Sequence, residues 1–148
     1  MRLIETWVRD LTSFGSLVTM GVIFLGLLAF EKYSLAAELF LANALCMGII
    51  YLIRFFYFKP RPGRSRVHHT SLFNRLRESS FPSIHAYRGA VIPVILSQNL
   101  SLFPALLLWG IGLGICFSRI YLRKHHVTDV VAGFLIGLVV SYAVTWVM

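Results

Sequence analysis

Between residues 15 and 148 the chain is a succession of five apolar runs separated by short polar gaps, a pattern that leaves few environments in which it could fold. The runs cover about residues 15–30, 35–58, 84–97, 102–117 and 127–148. The second closes on Lys59-Pro60-Arg61-Pro62, which no helix can traverse. The third contains Pro93, an expected kink, and ends at Gln98-Asn99. Several runs fall short of the ~20 residues a helix needs to cross hydrocarbon. They are therefore expected to extend into the loops, or to let a site sink below the headgroups. With 57% hydrophobic residues and a mean hydropathy of +0.75, the chain is too apolar for an ordinary soluble domain.

Residues 1–14 follow a different pattern. Leu3, Ile4, Trp7, Val8 and Leu11 share one helical face, and Arg2, Glu5, Thr6, Arg9 and Asp10 share the other. This predicts an amphipathic helix lying in the membrane interface with Trp7 as anchor. With Glu5 and Asp10 inside it and no small-residue cleavage site, the stretch is not expected to be a cleaved signal peptide. The expected fold is an all-α integral membrane helical bundle forming a single domain over 1–148. It comprises the interfacial helix 1–14 and a transmembrane core 15–148 of about five spans.

Alternating spans place the loop 59–83, the turn 118–126 and the N-terminal helix on one membrane face. Of the 14 lysines and arginines, every one except Lys32 falls on or near that face. The net charge of +8 rests on only 14% charged residues, so it is concentrated there. The lipid-facing surface disfavours nucleic acid as a partner. Anionic headgroups or a phosphorylated substrate fit the charge better. Cys46 and Cys116 lie in apolar runs far apart and read as small core residues.

Chemistry-bearing residues gather around the gaps. In Ser118-Arg119-x5-His125-x3-Asp129, His125 and Asp129 are four apart and would share a helix face, within reach of a hydrogen bond or ion pair. A carboxylate beside an imidazole fixes its tautomer and stabilises the charge it gains in reaction. Arg119 supplies a planar donor fork suited to phosphate. Arg54 lies within an aromatic stretch of the second run, where an ionisable residue is expensive and tends to be functional. Arg61, seven positions on, could converge with it on one anion. Pro82-Ser83-Ile84-His85 opens the third run, where a hydroxyl and free backbone N–H groups suit an anion and the imidazole faces the loop. Lys59 and Arg88 are secondary candidates for the same anion. The plain reading of these stretches is a set of basic loops anchoring helix ends to lipid headgroups.

Taken together, Arg54-x6-Arg61-Pro62, Pro82-Ser83-x-His85 and Ser118-Arg119-x5-His125-x3-Asp129 resemble the three-part signature of the type 2 phosphatidic acid phosphatase superfamily. The resemblance implies a metal-independent phosphatase without a cofactor. In it His125 is the nucleophile, Asp129 its orienting carboxylate and His85 the general acid. Arg54, Arg61, Ser83, the Ile84 backbone N–H, Ser118 and Arg119 bind the phosphate. Two positions depart from the pattern: Arg54 stands where the family has lysine, and Ile84 where it has glycine. The family's membrane members commonly have six spans, the first of which the interfacial helix would replace here.

The leading expectation is a lipid phosphate or pyrophosphate phosphatase embedded in the bilayer. Its substrate would be phosphatidate, phosphatidylglycerophosphate, an isoprenyl pyrophosphate such as undecaprenyl pyrophosphate, or lipid A 1-phosphate. The competing reading is a non-catalytic scaffold binding anionic headgroups, which explains the charge without needing His85, His125 and Asp129 together. A zinc site using His68, His69 and His125 lacks supporting Cys or carboxylate spacing, so no metal is expected. The positive-inside rule would turn the basic face to the cytoplasm. The resemblance instead places the site outside, on the periplasmic side of a bacterial inner membrane, and that is the expectation adopted.

Overall fold

The computed structural model of the chain describes residues 2–63 and 71–148, with side chains from Glu5 onward. Arg64, Arg66, His68 and His69 lie outside the described residues, as do the side chains of Arg2, Leu3 and Ile4. Regular structure among the described residues is entirely helical: α1 Arg2–Ser13, α2 Leu17–Ala29, α3 Tyr33–Phe56, α4 Leu72–Glu78, α5 Ile84–Leu96, α6 Leu102–Tyr121 and α7 Val127–Val147, with a 3₁₀ turn at Ser97–Asn99. Each apolar run forms one helix. The short α4 was not expected inside the basic loop. Its local cause is Ser71, whose hydroxyl accepts from Asn74 N at 3.3 Å, with Arg75 and Arg77 in the last turn against the helix dipole.

By length and composition α3, α6 and α7 can cross a membrane, and α1 with α2, bent by 49° at their break, make a fourth candidate. The third of the five expected spans, α5, has 13 residues. At 1.5 Å per residue that is about 20 Å, short of hydrocarbon about 30 Å thick. It forms the centre of the bundle: Ala86 through Ile95 are all buried. Pro93 removes one backbone N–H from α5, yet the helix runs on to Leu96. Trp146, Val139, Phe56, Leu102 and Phe103 are exposed on the outer helices, which lipid, not water, must cover. The chain is an integral membrane protein.

Between helices in lipid, association depends on close packing and not on expulsion of water. Glycines supply that closeness around α5. A Cβ on Gly133 of α7 would lie 2.3 Å from Ser83 O, and one on Gly137 would lie 2.4 Å from Tyr87 O. On the opposite side Gly89 and Gly112 bring α5 and α6 together, since a Cβ on Gly112 would lie 2.1 Å from Gly89 O. Around these crossings Leu39, Cys46 and Ile50 of α3 pack with Tyr87, Val91 and Ile95 of α5 and Val144 of α7. Both cysteines are free and buried.

Antiparallel packing gathers the end of α3, the start of α5, the end of α6 and the start of α7 at one end of the bundle. The other end is tied by Gln98, which donates to the buried Glu38 at 2.9 Å. The last turn of α1 belongs to the first end. Its Leu11 side chain fills the space that a Cβ on Gly114 would need, at 2.9 Å. An apolar contact of this kind seats the end of α1 on α6, not in the interface alone.

Candidate active site

Backbone hydrogen bonds fix the three segments relative to one another. After α3 ends, Ser80 N donates to Lys59 O at 2.7 Å, pairing the two sides of the first loop. Arg54, 2% exposed, donates to Leu76 O at 3.0 Å and to Pro82 O at 2.8 Å. It therefore clamps the chain leading into α5 with two of its donors. Ser83 N donates to Asp129 O at 2.9 Å, joining the starts of α5 and α7. Between α6 and α7, Lys124 N and His125 N both donate to Arg119 O, at 3.1 and 3.3 Å. Arg123 takes a left-handed φ of 50°, which turns the chain so tightly that His125 returns over the end of α6.

His125 is 4% exposed. Its Nδ1 lies 2.7 Å from the Ser80 carbonyl oxygen. A carbonyl only accepts, so Nδ1 carries the proton and Nε2 keeps its lone pair. Among the described residues no hydrogen-bond partner engages Nε2. Burial, then the charge of Arg119 and, more weakly, that of Arg61, pushes the imidazole down to about 3, against the opposing pull of Ser80 O and Asp129. The ring is neutral at physiological pH.

Of the hydrogen bond or ion pair expected between His125 and Asp129, only the ion-pair separation is met. Their nearest atoms, Nδ1 and Oδ2, are 3.9 Å apart, ion-pair distance but past hydrogen-bond length. The fully buried carboxylate takes its donors elsewhere. Lys59 Nζ lies 2.6 Å from Oδ1, the Ser80 hydroxyl donates to Oδ2, and His126 N donates to Oδ2 at 2.9 Å. The reason is local: His126 is the N-cap of α7 and Asp129 its N3 residue, so the two form a capping box. That satisfies Asp129 before His125 can reach it.

The remaining expected residues fall into two groups. Arg61, Arg119, His85 and His125 are brought together. Arg61 lies within electrostatic reach of Arg54, His85, Arg119 and His125. Among the described residues Nε of both Arg54 and Arg119 is buried without a partner, so each carries an unsatisfied donor. Ser83 caps α5 by accepting from Ala86 N at 3.4 Å. The Ile84 and His85 N–H groups of the first turn then have no intrahelical acceptor and suit an anion. Lys59 and Arg88 face elsewhere. Lys59 is the Asp129 partner described above. Arg88 is buried and directed inward, from its guanidinium to Tyr87 Oη at 3.1 Å and Gly15 O at 3.2 Å. Ser118 Oγ donates towards Ile115 O at 2.6 Å. It is also the donor to Thr12 Oγ1, 2.9 Å away.

Three residues escaped the reading of the sequence. Ser80 holds both His125 and Asp129, Thr12 touches Ser118 and Arg119, and Gly15 packs on His85, where a Cβ would lie 3.2 Å from the ring. His126 carried a usable signal, since His126-x-x-Asp129 has capping-box spacing; Ser80, Thr12 and Gly15 carried none. Among the described residues no three His, Cys, Asp or Glu side chains form a metal-ligating cluster.

The chain can be compared with known proteins on this footing. Residues 35–148 match the family model of the PAP2 superfamily. Undecaprenyl-diphosphatase BcrC of Bacillus subtilis is 32% identical over 95 residues, covering 64% of this chain and 48% of that protein. Lipid A 4'-phosphatase of Porphyromonas gingivalis is 26% identical over 144 residues, covering 86% of this chain and 58% of that protein. The chain thus spans about half the length of these relatives. The crystal structure of Aquifex aeolicus LpxE superposes with a TM-score of 0.84 at 25% identity, covering 99% of this chain and 87% of that one.

Proposed function

Because the chain belongs to the PAP2 superfamily, we propose that it is a lipid phosphatase that releases phosphate from a membrane lipid carrying a terminal monophosphate or diphosphate. The observation that carries the reading is the state of His125. Its proton is held on Nδ1 by Ser80 O at 2.7 Å, its ring is kept neutral by burial and by the charges of Arg119 and Arg61, and its Nε2 has no partner among the described residues. A neutral imidazole with a fixed tautomer and a bare nitrogen among guanidinium groups is the form a phosphoryl acceptor requires.

In the proposed mechanism Nε2 of His125 attacks phosphorus as the bond to the lipid oxygen breaks. Burial and then the charges of Arg119 and Arg88 push His85, at the start of α5, down to about 3 in the free protein; the bound phosphate dianion opposes those charges, so His85 takes up a proton with the substrate and passes it to the leaving oxygen. The phosphohistidine is then hydrolysed by water, with His85 as base. Arg61, Arg119, the free donors of Arg54, and the Ile84 and His85 amides hold the equatorial oxygens and take up their charge. Ser83 keeps those amides pointed at the anion by capping α5, with its hydroxyl proton available to an oxygen. Asp129, 3.9 Å from the ring, stabilises the positive charge that His125 gains on attack. The guanidinium groups do the work a metal does in other phosphatases, so the reaction is proposed to need none. The activities of the relatives named above support an isoprenyl diphosphate or a lipid A phosphate as substrate. The site is proposed to face the periplasm of a bacterial inner membrane.

The test is phosphate release by purified protein from undecaprenyl diphosphate, lipid A phosphates, phosphatidylglycerophosphate and phosphatidate, with EDTA, with orthovanadate and with His125→Ala. The expected result is release that survives EDTA, is inhibited by vanadate and is abolished in the variant. Full activity in folded His125→Ala would remove the nucleophile assignment. No release from any folded preparation would restore the headgroup-binding scaffold.

A further inference from the structure

Arg119 is an unusual buried cation. It is 7% exposed, and the acceptor of its guanidinium among the described residues is the hydroxyl of Thr12, 2.9 Å from Nη1. Thr12 lies in the last full turn of α1, outside residues 35–148 that match the family model. Its neighbour Ser13 turns its hydroxyl back onto Arg9 O at 3.2 Å, as hydroxyl residues in helices often do. Thr12 instead reaches across to α6. There its Oγ1 accepts from the Ser118 hydroxyl at 2.9 Å, a hydroxyl that also lies 2.6 Å from Ile115 O. The same oxygen accepts from Arg119. Thr12 Oγ1 is thus a shared acceptor for two neighbouring donors of α6.

Two other contacts hold the end of α1 in place. Leu11 sits against the bare Cα of Gly114, where a Cβ would lie 2.9 Å from its Cδ2. Gly15 presses on Ile115 and on the ring of His85, with its carbonyl taking a donor of Arg88 at 3.2 Å. The α1–α2 bend is therefore a wall of the site, touching side chains from both α5 and α6.

We propose that Thr12 is a positioning residue that aims the Arg119 guanidinium at the phosphate, an inference that rests on the phosphatase reading above. The choice of a hydroxyl has a physical reason. A carboxylate would hold Arg119 as well but would neutralise it, and the bound anion would lose its attraction. A neutral acceptor with a β-branched, rotationally stiff side chain fixes the fork and leaves its charge for the ligand. Nε of Arg119 is buried and, among the described residues, unpartnered, a donor left for an oxygen.

The experiment compares wild type with Thr12→Val, Thr12→Ser and Thr12→Asp in turnover of a lipid phosphate and in inhibition by orthovanadate. Melting temperatures establish that each is folded. Thr12→Val, which keeps shape and loses the acceptor, is expected to weaken vanadate inhibition and raise KM about tenfold, the size of one charged hydrogen bond. Thr12→Ser is expected to restore both, and Thr12→Asp to weaken vanadate binding further while melting no lower than Thr12→Val. Thr12→Val is expected to add nothing in an Arg119→Lys background. A role confined to packing would lower the melting temperature of Thr12→Val and leave KM and vanadate inhibition at wild-type values, and that result would overturn the proposal. If Thr12→Val fails to fold, wild-type vanadate inhibition in folded Thr12→Asp would overturn it equally. Wild type that neither hydrolyses any lipid phosphate nor binds vanadate would instead refute the phosphatase reading, and the role of Thr12 with it.

Discussion

Asp129→Asn separates two ways in which a carboxylate can serve a catalytic histidine. If Asp129 set the tautomer of His125, its loss would leave the imidazole with the wrong nitrogen protonated, at a cost of about 10⁴-fold in kcat where this has been seen in triads. In the proposed mechanism Ser80 O holds the Nδ1 proton, and Asp129 acts across 3.9 Å on the charge that His125 acquires. At an effective dielectric of about 20, two unit charges at that distance interact by about 4 kcal/mol, an upper bound near 10³-fold. Lys59, 2.6 Å from the same carboxylate, offsets part of that field. The expected loss is therefore about 10²-fold, and less than 10³-fold, in kcat. The assay is single-turnover phosphate release, with ¹⁵N imidazole shifts read on the same detergent-solubilised variant. Its His125 should remain protonated on Nδ1. A loss of 10⁴-fold or more, with the proton moved to Nε2 in a folded protein, would refute the assignment of tautomer control to Ser80. Wild-type turnover would refute the electrostatic role.

Three further expectations follow from the same geometry. Gly133→Ala places a Cβ 2.3 Å from Ser83 O, a backbone atom that cannot turn aside; α5 and α7 must part, at about 1–3 kcal/mol or more. Unchanged melting would show the helices to be less closely seated than described. His125 in the free protein should not titrate between pH 8 and 5, because its folded value lies near 3 against 6.5 for an exposed ring. The unfolded chain then binds the extra proton, so this histidine's contribution to stability is present above about pH 6.5 and is lost as pH falls towards 3; a ring that protonates near 6.5 by NMR contradicts this. With Cys46 and Cys116 replaced by alanine, Lys124→Cys should react with an impermeant maleimide in intact cells and Ser34→Cys only after permeabilisation. The reverse pattern would turn the site to the cytoplasm.

Much of the architecture was legible because it is written locally. Apolar runs bounded by prolines and charge clusters mark helices wherever they occur, and α2, α3, α5, α6 and α7 begin and end within a few residues of the expected bounds. Counting crossings was enough to bring Arg54, His85, Arg119 and Asp129 to one end. What the run alone left open was the surroundings of α5, since an apolar run reads the same whether lipid or protein surrounds it. Only packing reveals that its 13 residues lie inside the bundle.

The sequence by itself determined which chemical groups are available: three arginines, two histidines and a carboxylate, at spacings set by single helices and turns. Tertiary structure decided which of them touch. His125 is oriented by Ser80, 45 residues away, and Arg119 by Thr12, 107 residues away. Asp129, which shares a turn with His125, is drawn instead to Lys59, 70 residues away, and to its own helix cap. Spacing along a helix limits which partners are possible, but a hydrogen bond goes to the nearest well-aligned group. In this bundle glycines at Gly89, Gly112, Gly133 and Gly137 determine which groups are near by letting backbones approach.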